Sequence, residues 1–169
     1  VLKGAEFEAA AQRYADRIYA VAFNYFKSPY DAEDIVQEVL LKLYQNESGF
    51  ESEAHLKHWL LRVAVNQCKK ISLSAWHRRQ VSLENYFETT SEAACGAVCE
   101  DDAETAVRRG EILQAILGLP KKYRLILHLY YYEDYDTKAI AGLLRMNEAT
   151  VRTRLARGRK ILKEVLADV

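Results

Sequence analysis

The chain has 169 residues, of which 50% are hydrophobic, and its 24 basic and 24 acidic residues give a formal net charge of zero. This composition excludes an intrinsically disordered chain, and with two prolines and seven glycines it favours helices over sheets that need many turns. We therefore expect an all-α protein with one modest domain or two small ones.

The cysteines and the apolar stretches indicate a cytoplasmic protein. The three cysteines, Cys68, Cys95 and Cys99, are an odd number, and no apolar signal segment opens the chain, so we expect no disulfide framework. The longest apolar stretch is interrupted by Arg62 and is too short to span a bilayer, so no direct membrane insertion is expected. No nucleophile with its base, Gly-rich phosphate loop or metal-spaced His/Cys cluster is present, and Cys95 and Cys99 lack a nearby histidine. We expect no enzyme activity, no small-molecule substrate, no metal and no cofactor.

Charge is segregated along the chain. Residues 55–80 contain six basic and no acidic residues, residues 84–104 contain seven acidic and no basic residues, and residues 145–163 contain seven basic residues and one acid. The acidic stretch lacks helical periodicity, which is typical of a tether. We expect a helical domain over residues 1–80, an acidic linker over 81–104 and a second helical domain over 105–169.

The stretch DAEDIVQEVLLKLYQ predicts an amphipathic helix, with Pro29 and Asp31 as start signals. Its inward positions are Ala32, Ile35, Val36, Val39, Leu40, Leu43 and Tyr44. A second stripe, spaced i, i+3, i+4 and i+7, consists of Asp34, Gln37, Glu38 and Leu41. This stripe is either an ordinary solvated face or a docking surface for a basic partner.

The stretch HLKHWLLRVAVNQCKKI predicts another helix with a basic outer surface. Its inward positions are Leu56, Trp59, Leu60, Val63, Ala64 and Ile71, and its outer positions include Arg62, Asn66, Lys69 and Lys70. Basic residues with an interleaved aromatic follow, at Trp76, His77, Arg78 and Arg79. This pattern suits nucleic acid, because cations hold phosphates and a ring can stack on an unpaired base for about 1–3 kcal/mol. The alternative is a small packing cluster.

The C-terminal segment predicts a helix-turn-helix. A helix begins near Pro120, and two further helices begin at Asp136 and Asn147, which are good N-caps. The inward stripe of the last helix is Val151, Leu155, Leu162 and Val165, so Thr150, Arg152, Thr153, Arg154, Arg157 and Arg159 must project elsewhere. The start of such a helix enters the DNA major groove, where arginine reads guanine edges. On spacing alone, a plain helical hairpin stays an alternative.

These three stretches, in this order, resemble a bacterial extracytoplasmic-function (ECF) sigma factor of the sigma-70 family. The resemblance implies two small helical domains, sigma-2-like and sigma-4-like, joined by a flexible acidic linker. It implies core RNA polymerase and promoter DNA as partners, with an anti-sigma factor as a separate regulator. The polymerase would be bound by Asp34, Gln37, Glu38 and Leu41. The minus-ten element would be bound by Arg62, Asn66, Lys69, Lys70, Trp76, His77, Arg78 and Arg79, and the minus-thirty-five element by Thr150, Arg152, Thr153, Arg154, Arg157 and Arg159.

One position departs from the family pattern, and two other functions stay open. Family members usually have glycine at the turn between the last two helices, but here the position holds Arg145, which makes a positive φ less favourable by roughly 1 kcal/mol. The other functions are a stand-alone helix-turn-helix regulator that binds DNA as a dimer, and a helical adaptor that binds only protein.

Overall fold

The computed structural model describes residues 2–74 and 103–167, and this part of the chain folds into α-helices without strands. The expected all-α class is confirmed. The described residues fall into two compact units. Unit 1 contains α1 (Ala5–Phe26), α2 (Pro29–Gln45) and α3 (Glu53–Ser72), and unit 2 contains α4 (Ala103–Leu117), α5 (Lys121–Tyr131), α6 (Thr137–Leu144) and α7 (Glu148–Ala167). The domain boundaries expected near residues 80 and 105 stay predictions.

Unit 1 is a three-helix assembly in which each helix contacts the other two. Its centre is formed by fully buried side chains from all three helices, among them Ile18, Ile35 and Leu60. Burying a side chain of this size stabilises a fold by roughly 1.5–3 kcal/mol. The faces of α2 and α3 that point away from this centre stay exposed.

Serine side chains fix the starts of α2 and α3. The N–H of Asp31 donates to Ser28 Oγ at 3.3 Å, with Pro29 in the first turn, and the N–H of His55 donates to Ser52 Oγ at 3.1 Å. Such caps satisfy N–H groups that a helix leaves without a partner and contribute about 1 kcal/mol each.

A small polar cluster fastens the start of α3 to α1. The Tyr14 hydroxyl donates to Glu53 Oε1 at 2.6 Å, and Arg13 Nη1 lies 2.5 Å from the same oxygen. Burial, followed by the hydrogen bond to Glu53, raises the pKa of Tyr14 to about 12. Hydrogen bonds from Tyr14 and Arg13 lower the pKa of Glu53.

The predicted inward faces of α2 and α3 are right in part. Ala32, Ile35, Val39 and Leu43 are buried, Val36 and Leu40 are only half-buried, and Tyr44 is 56% exposed, so its predicted place in the core is wrong. On α3, Leu56, Leu60 and Ala64 are buried, whereas Trp59, Val63 and Ile71 are only half-buried. Leu61, Val65 and Cys68 are buried in their place, because α3 packs against two helices and its buried arc is wide.

Unit 2 is built around α5, which contacts α4, α6 and α7. Asp136 Oδ1 accepts from the N–H of Ala139 at 2.7 Å, and Asn147 Oδ1 accepts from the N–H of Ala149 at 2.9 Å. Both predicted N-caps are therefore confirmed, and α6 and α7 form the expected helix-turn-helix.

Arg145 occupies the turn between α6 and α7 in the left-handed conformation, with φ 54° and ψ 50°. The N–H groups of Arg145 and Met146 both donate to the Ala141 carbonyl, so the turn ends α6 as a glycine would, despite the Cβ of arginine. Gly142 lies inside α6, where a Cβ would meet nothing within 4 Å.

The buried stripe of α7 consists of Val151, Leu155, Gly158 and Leu162. Val165 was expected to continue it but is 41% exposed. A Cβ at Gly158 would lie 3.0 Å from Leu127 Cδ1 and 3.3 Å from Tyr123 Cβ, so glycine lets α5 and α7 approach closely here.

Candidate protein and nucleic-acid interfaces

The outer face of α2 carries acids, an amide and large apolar side chains together. The structure brings the four predicted residues onto one exposed face; Leu41 is 50% exposed. Tyr30 and Tyr44, 82% and 56% exposed, lie four residues before Asp34 and three after Leu41, so they extend the same helical face. We call this face, with Tyr30, Asp34, Gln37, Glu38, Leu41 and Tyr44, the α2 stripe. Sequence reasoning missed its two tyrosines, although their spacing was visible.

Glu38 links the α2 stripe to α3. Its carboxylate accepts from Gln67 Nε2 at 3.3 Å and lies 3.8 Å from Lys42 Nζ. Gln67 is buried on α3, whereas the Glu38 side chain is 48% exposed. The carboxylate is thus oriented from two sides while still open to a partner.

The outer face of α3 is basic. Arg62, Asn66 and Lys70 are exposed and Lys69 is half-buried, and the four lie opposite the buried arc of the helix. Partial burial, followed by the positive charge of Arg62, lowers the pKa of the neighbouring His58. The remaining predicted residues of this site, Trp76, His77, Arg78 and Arg79, lie outside the described residues.

The six predicted residues of α7 fall into two groups. Thr150, Thr153, Arg154 and Arg157 line one groove together with Lys122, Tyr123 and Ala149; its volume is ≈390 Å³. Sequence reasoning missed Lys122, although a basic pair after Pro120 was a visible signal.

Arg152 and Arg159 lie outside this groove and have other partners. Arg152 Nη2 lies 2.7 Å from Glu148 Oε1, which also accepts from Thr137 Oγ1 at 3.0 Å. Arg159 Nε donates to the Tyr131 hydroxyl at 2.8 Å, and its guanidinium carbon lies 4.7 Å from the Tyr130 ring centre. The Arg152 side chain is still 66% exposed, so its ion pair leaves the guanidinium accessible.

No helix in residues 2–74 or 103–167 has the length and apolarity that crossing a membrane requires.

Comparison with known proteins identifies the family. A family model described as Sigma-70 region 2 matches residues 10–80, and one described as Sigma-70 region 4 matches residues 109–162. The ECF RNA polymerase sigma factor SigW of Bacillus subtilis is 29% identical over 161 residues, which cover 92% of this chain and 86% of SigW. The ECF sigma factor SigM of the same organism is 26% identical, with 90% of each chain covered.

A solved structure shows the same fold. The sigma factor RpoE from Bartonella quintana, crystallised with the anti-sigma factor NepR, superposes with a TM-score of 0.69 at 21% sequence identity, over 96% of this chain and 97% of that one. Regions 2 and 4 match units 1 and 2 in chain order, and the ECF relatives align with this chain over most of their own length. The chain belongs to the sigma-70 family, as a member of its ECF group.

Proposed function

We propose that this chain is an alternative sigma factor that binds core RNA polymerase and directs promoter recognition, DNA melting and transcription initiation. The observation that carries the proposal is the match of regions 2 and 4 to the two units in chain order. Each unit exposes chemistry suited to its part: an acidic and apolar stripe on α2, and basic faces on α3 and α7.

Asp34, Gln37, Glu38 and Leu41 dock the chain on core polymerase. Burial of the exposed Leu41 side chain against a partner contributes favourably to the binding free energy, while the carboxylates favour a partner of opposite charge. Glu38 is already oriented by Gln67 and Lys42, so less side-chain entropy is lost when it pairs with a polymerase cation.

The basic face of α3 holds the minus-ten element as it melts. Arg62, Lys69 and Lys70 attract the backbone and Asn66 offers an amide for a base edge, while Trp76, His77, Arg78 and Arg79 are assigned the same role from the sequence alone. Extracting a base from the stack costs a few kcal/mol. Capture of the unpaired strand on this surface offsets that cost without a nucleotide-driven step.

The exposed side of α7 reads the minus-thirty-five element as duplex. Thr150, Arg152, Thr153 and Arg154 lie in its first two turns, the part that enters a major groove, while Arg157 and Arg159 lie a turn later, where backbone contacts are expected. A bidentate arginine–guanine contact discriminates between bases by roughly 1–3 kcal/mol.

The polymerase performs the chemistry in this scheme, and the chain acts as a transcription regulator rather than as an enzyme. It therefore works where the polymerase and the chromosome are, in the cytoplasm. RpoE of Bartonella quintana was crystallised with an anti-sigma factor. We infer that a partner of that kind restrains this chain by covering surfaces that core polymerase needs.

A two-step assay tests the function. Tagged full-length chain is incubated with core RNA polymerase, and the recovered complex is given promoter templates with and without a premelted bubble. A sigma factor should co-purify with core and initiate on both templates. If the chain ignores core but binds palindromic duplex tightly by itself, it is a dimeric regulator; if it binds protein and no DNA, it is an adaptor.

A further inference from the structure

We propose that Lys122, at the start of α5, is a phosphate-contacting residue for the upstream promoter element, and that the α5 side of the groove between α5 and α7 seats the DNA backbone there. This rests on the proposed function and adds a residue from a different helix to the reading surface. The groove is lined from α5 by Lys122 and Tyr123, and from α7 by Ala149, Thr150, Thr153, Arg154 and Arg157.

The chemistry of the lining fits a phosphodiester. Its charged members are three cations, Lys122, Arg154 and Arg157, and no carboxylate is among the lining residues. Lys122 and Arg157 are the two assigned to the backbone, whereas Arg154 lies with Thr150 and Thr153 among the residues proposed to read base edges. Lysine, arginine and hydroxyl groups are the usual protein partners of DNA phosphate oxygens.

Close helix packing builds the groove. Gly158 has no Cβ, and a Cβ there would press on Leu127 and Tyr123, so α5 and α7 approach more closely than larger residues would allow. Tyr123 is buried at this contact, and the Lys122 ammonium lies 5.0 Å from its ring centre. Lys122 therefore lines the same groove as Arg154 and Arg157 of α7.

The position of Lys122 determines what its contact can do. Lys122 belongs to α5 rather than to the reading helix α7. It therefore reaches the DNA backbone beside the major groove that α7 occupies. A backbone contact sets register and affinity but does not distinguish bases. Duplex DNA fits better than an acidic peptide, because the lining also includes Thr150, Thr153 and Arg154, which are proposed to read base edges.

Lys121 provides a matched control. It is the adjacent lysine, is also exposed, and does not line the groove. Holoenzyme is assembled from core polymerase with the parent chain, Lys122→Ala or Lys121→Ala. Each is bound to a duplex that the parent holoenzyme selects from a library with a randomised upstream segment. Affinity is then measured from 50 to 200 mM salt.

Lys122→Ala should reduce the salt slope by about one phosphate contact, which corresponds to roughly three- to fourfold less affinity change over this salt range. Base preference at the upstream element should not change, and Lys121→Ala should behave like the parent. Equal slopes for Lys122→Ala and Lys121→Ala would overturn the proposal.

Neutral methylphosphonates, placed one at a time along the upstream duplex, locate the contact. At one position the parent should lose affinity while Lys122→Ala should not. If Lys122→Ala is sensitive at every position at which the parent is, Lys122 touches no phosphate. Should the parent chain fail to bind core or select any duplex, the proposed function itself fails, which is a distinguishable result.

Discussion

Helices α2 and α7 have similar buried stripes and opposite outer surfaces. Each buries four residues along one side, Ala32, Ile35, Val39 and Leu43 on α2 and Val151, Leu155, Gly158 and Leu162 on α7. Outside, α2 exposes Asp34 and Glu38 beside large apolar groups, whereas α7 exposes arginines and threonines. The buried pattern sets the fold, and the outer surface selects the class of partner.

The apolar content of the two outer faces separates protein binding from DNA binding. On α2, removing the exposed side chains of Leu41, Tyr30 and Tyr44 from water against another protein contributes favourably to the binding free energy. On α7, the exposed cations contribute to binding free energy chiefly by releasing counterions from DNA. Binding through the α2 stripe should therefore depend less on salt than binding through the outer surface of α7.

The largest effect is expected from reversing charge on the α2 stripe. Asp34→Lys or Glu38→Lys places a cation against the basic surface of polymerase and should weaken core binding by about 2–4 kcal/mol, at least thirtyfold. Glu33→Lys is the matched control, because Glu33 is an exposed acid on α2 outside the stripe. Fluorescence titration with core measures both, and unchanged affinity for Asp34→Lys and Glu38→Lys would remove polymerase docking from this face.

Acid should destabilise unit 2 more than unit 1. His128 on α5 is fully buried, neither ring nitrogen has a hydrogen-bond partner in the described part of the chain, and burial lowers its pKa to about 4. In the unfolded chain, His128 takes up a proton near pH 6.5, whereas in the folded chain it does so only near pH 4. The free energy of unfolding is therefore unaffected by this group above pH 6.5 and decreases as the pH falls toward 4, by up to about 3 kcal/mol. His58 in unit 1 adds a contribution of the same sign from a partly buried site.

Hydrogen exchange separates the two units in one experiment. Between pH 7 and 4.5, after correction for intrinsic exchange, protection should fall more for α5 than for α1. His128→Phe keeps an aromatic ring for stacking on Tyr132, whose ring centroid is 5.3 Å away. This variant should remove most of the difference between α5 and α1 in the protection lost at low pH. An identical pH profile in His128→Phe would assign the acid sensitivity to another group.

Arginine substitutions should divide the outer surface of α7 by function. Arg152→Ala and Arg154→Ala should each remove roughly 1–3 kcal/mol of base discrimination at the upstream element. Arg159 is held by Tyr131 and Tyr130, so Arg159→Ala should weaken all sequences evenly and reduce the salt slope by about one. Binding to a library of upstream variants distinguishes these cases, and equal losses on all sequences for all three variants would contradict the division.

The smallest effect concerns the turn of the helix-turn-helix. Arg145 has φ 54°, so Arg145→Gly should stabilise unit 2 by at most about 1 kcal/mol. Arg145→Ala is the control, since it removes the long side chain but keeps the Cβ, and it should bring no gain. Calorimetry of the full chain should show the difference as a few degrees in the melting temperature of unit 2; an equal shift in both variants would refute backbone strain as the cause.

Local signals in the sequence predicted much of the fold. The caps at Asp136 and Asn147 and the four buried residues of α2 depend on residues near one another in the chain, and the structure confirms these. The errors occur where tertiary packing decides. Trp59 is only half-buried and packs edge-on against Phe50, with ring centroids 5.5 Å apart, whereas Cys68 is buried on a helix that contacts both other helices of unit 1.

The candidate sites were predictable as helix faces but not as assemblies. Periodicity placed Asp34 to Leu41 on one side of a helix, yet the bond between Glu38 and Gln67 joins residues 29 positions apart. Lys122 of α5 and Arg154 of α7 likewise line one groove, although they are far apart in the sequence, because α5 packs against α7. Such contacts depend on how the helices pack against one another, and this cannot be predicted from the spacing of residues along one helix.

Sequencing the 5′ ends of transcripts made from a genomic library by core polymerase, with and without the chain, tests the sigma-factor function most directly. We predict start sites that appear only with the chain and share two upstream sequence elements at constant spacing, and that disappear with Asp34→Lys. Identical start sites with and without the chain would contradict it.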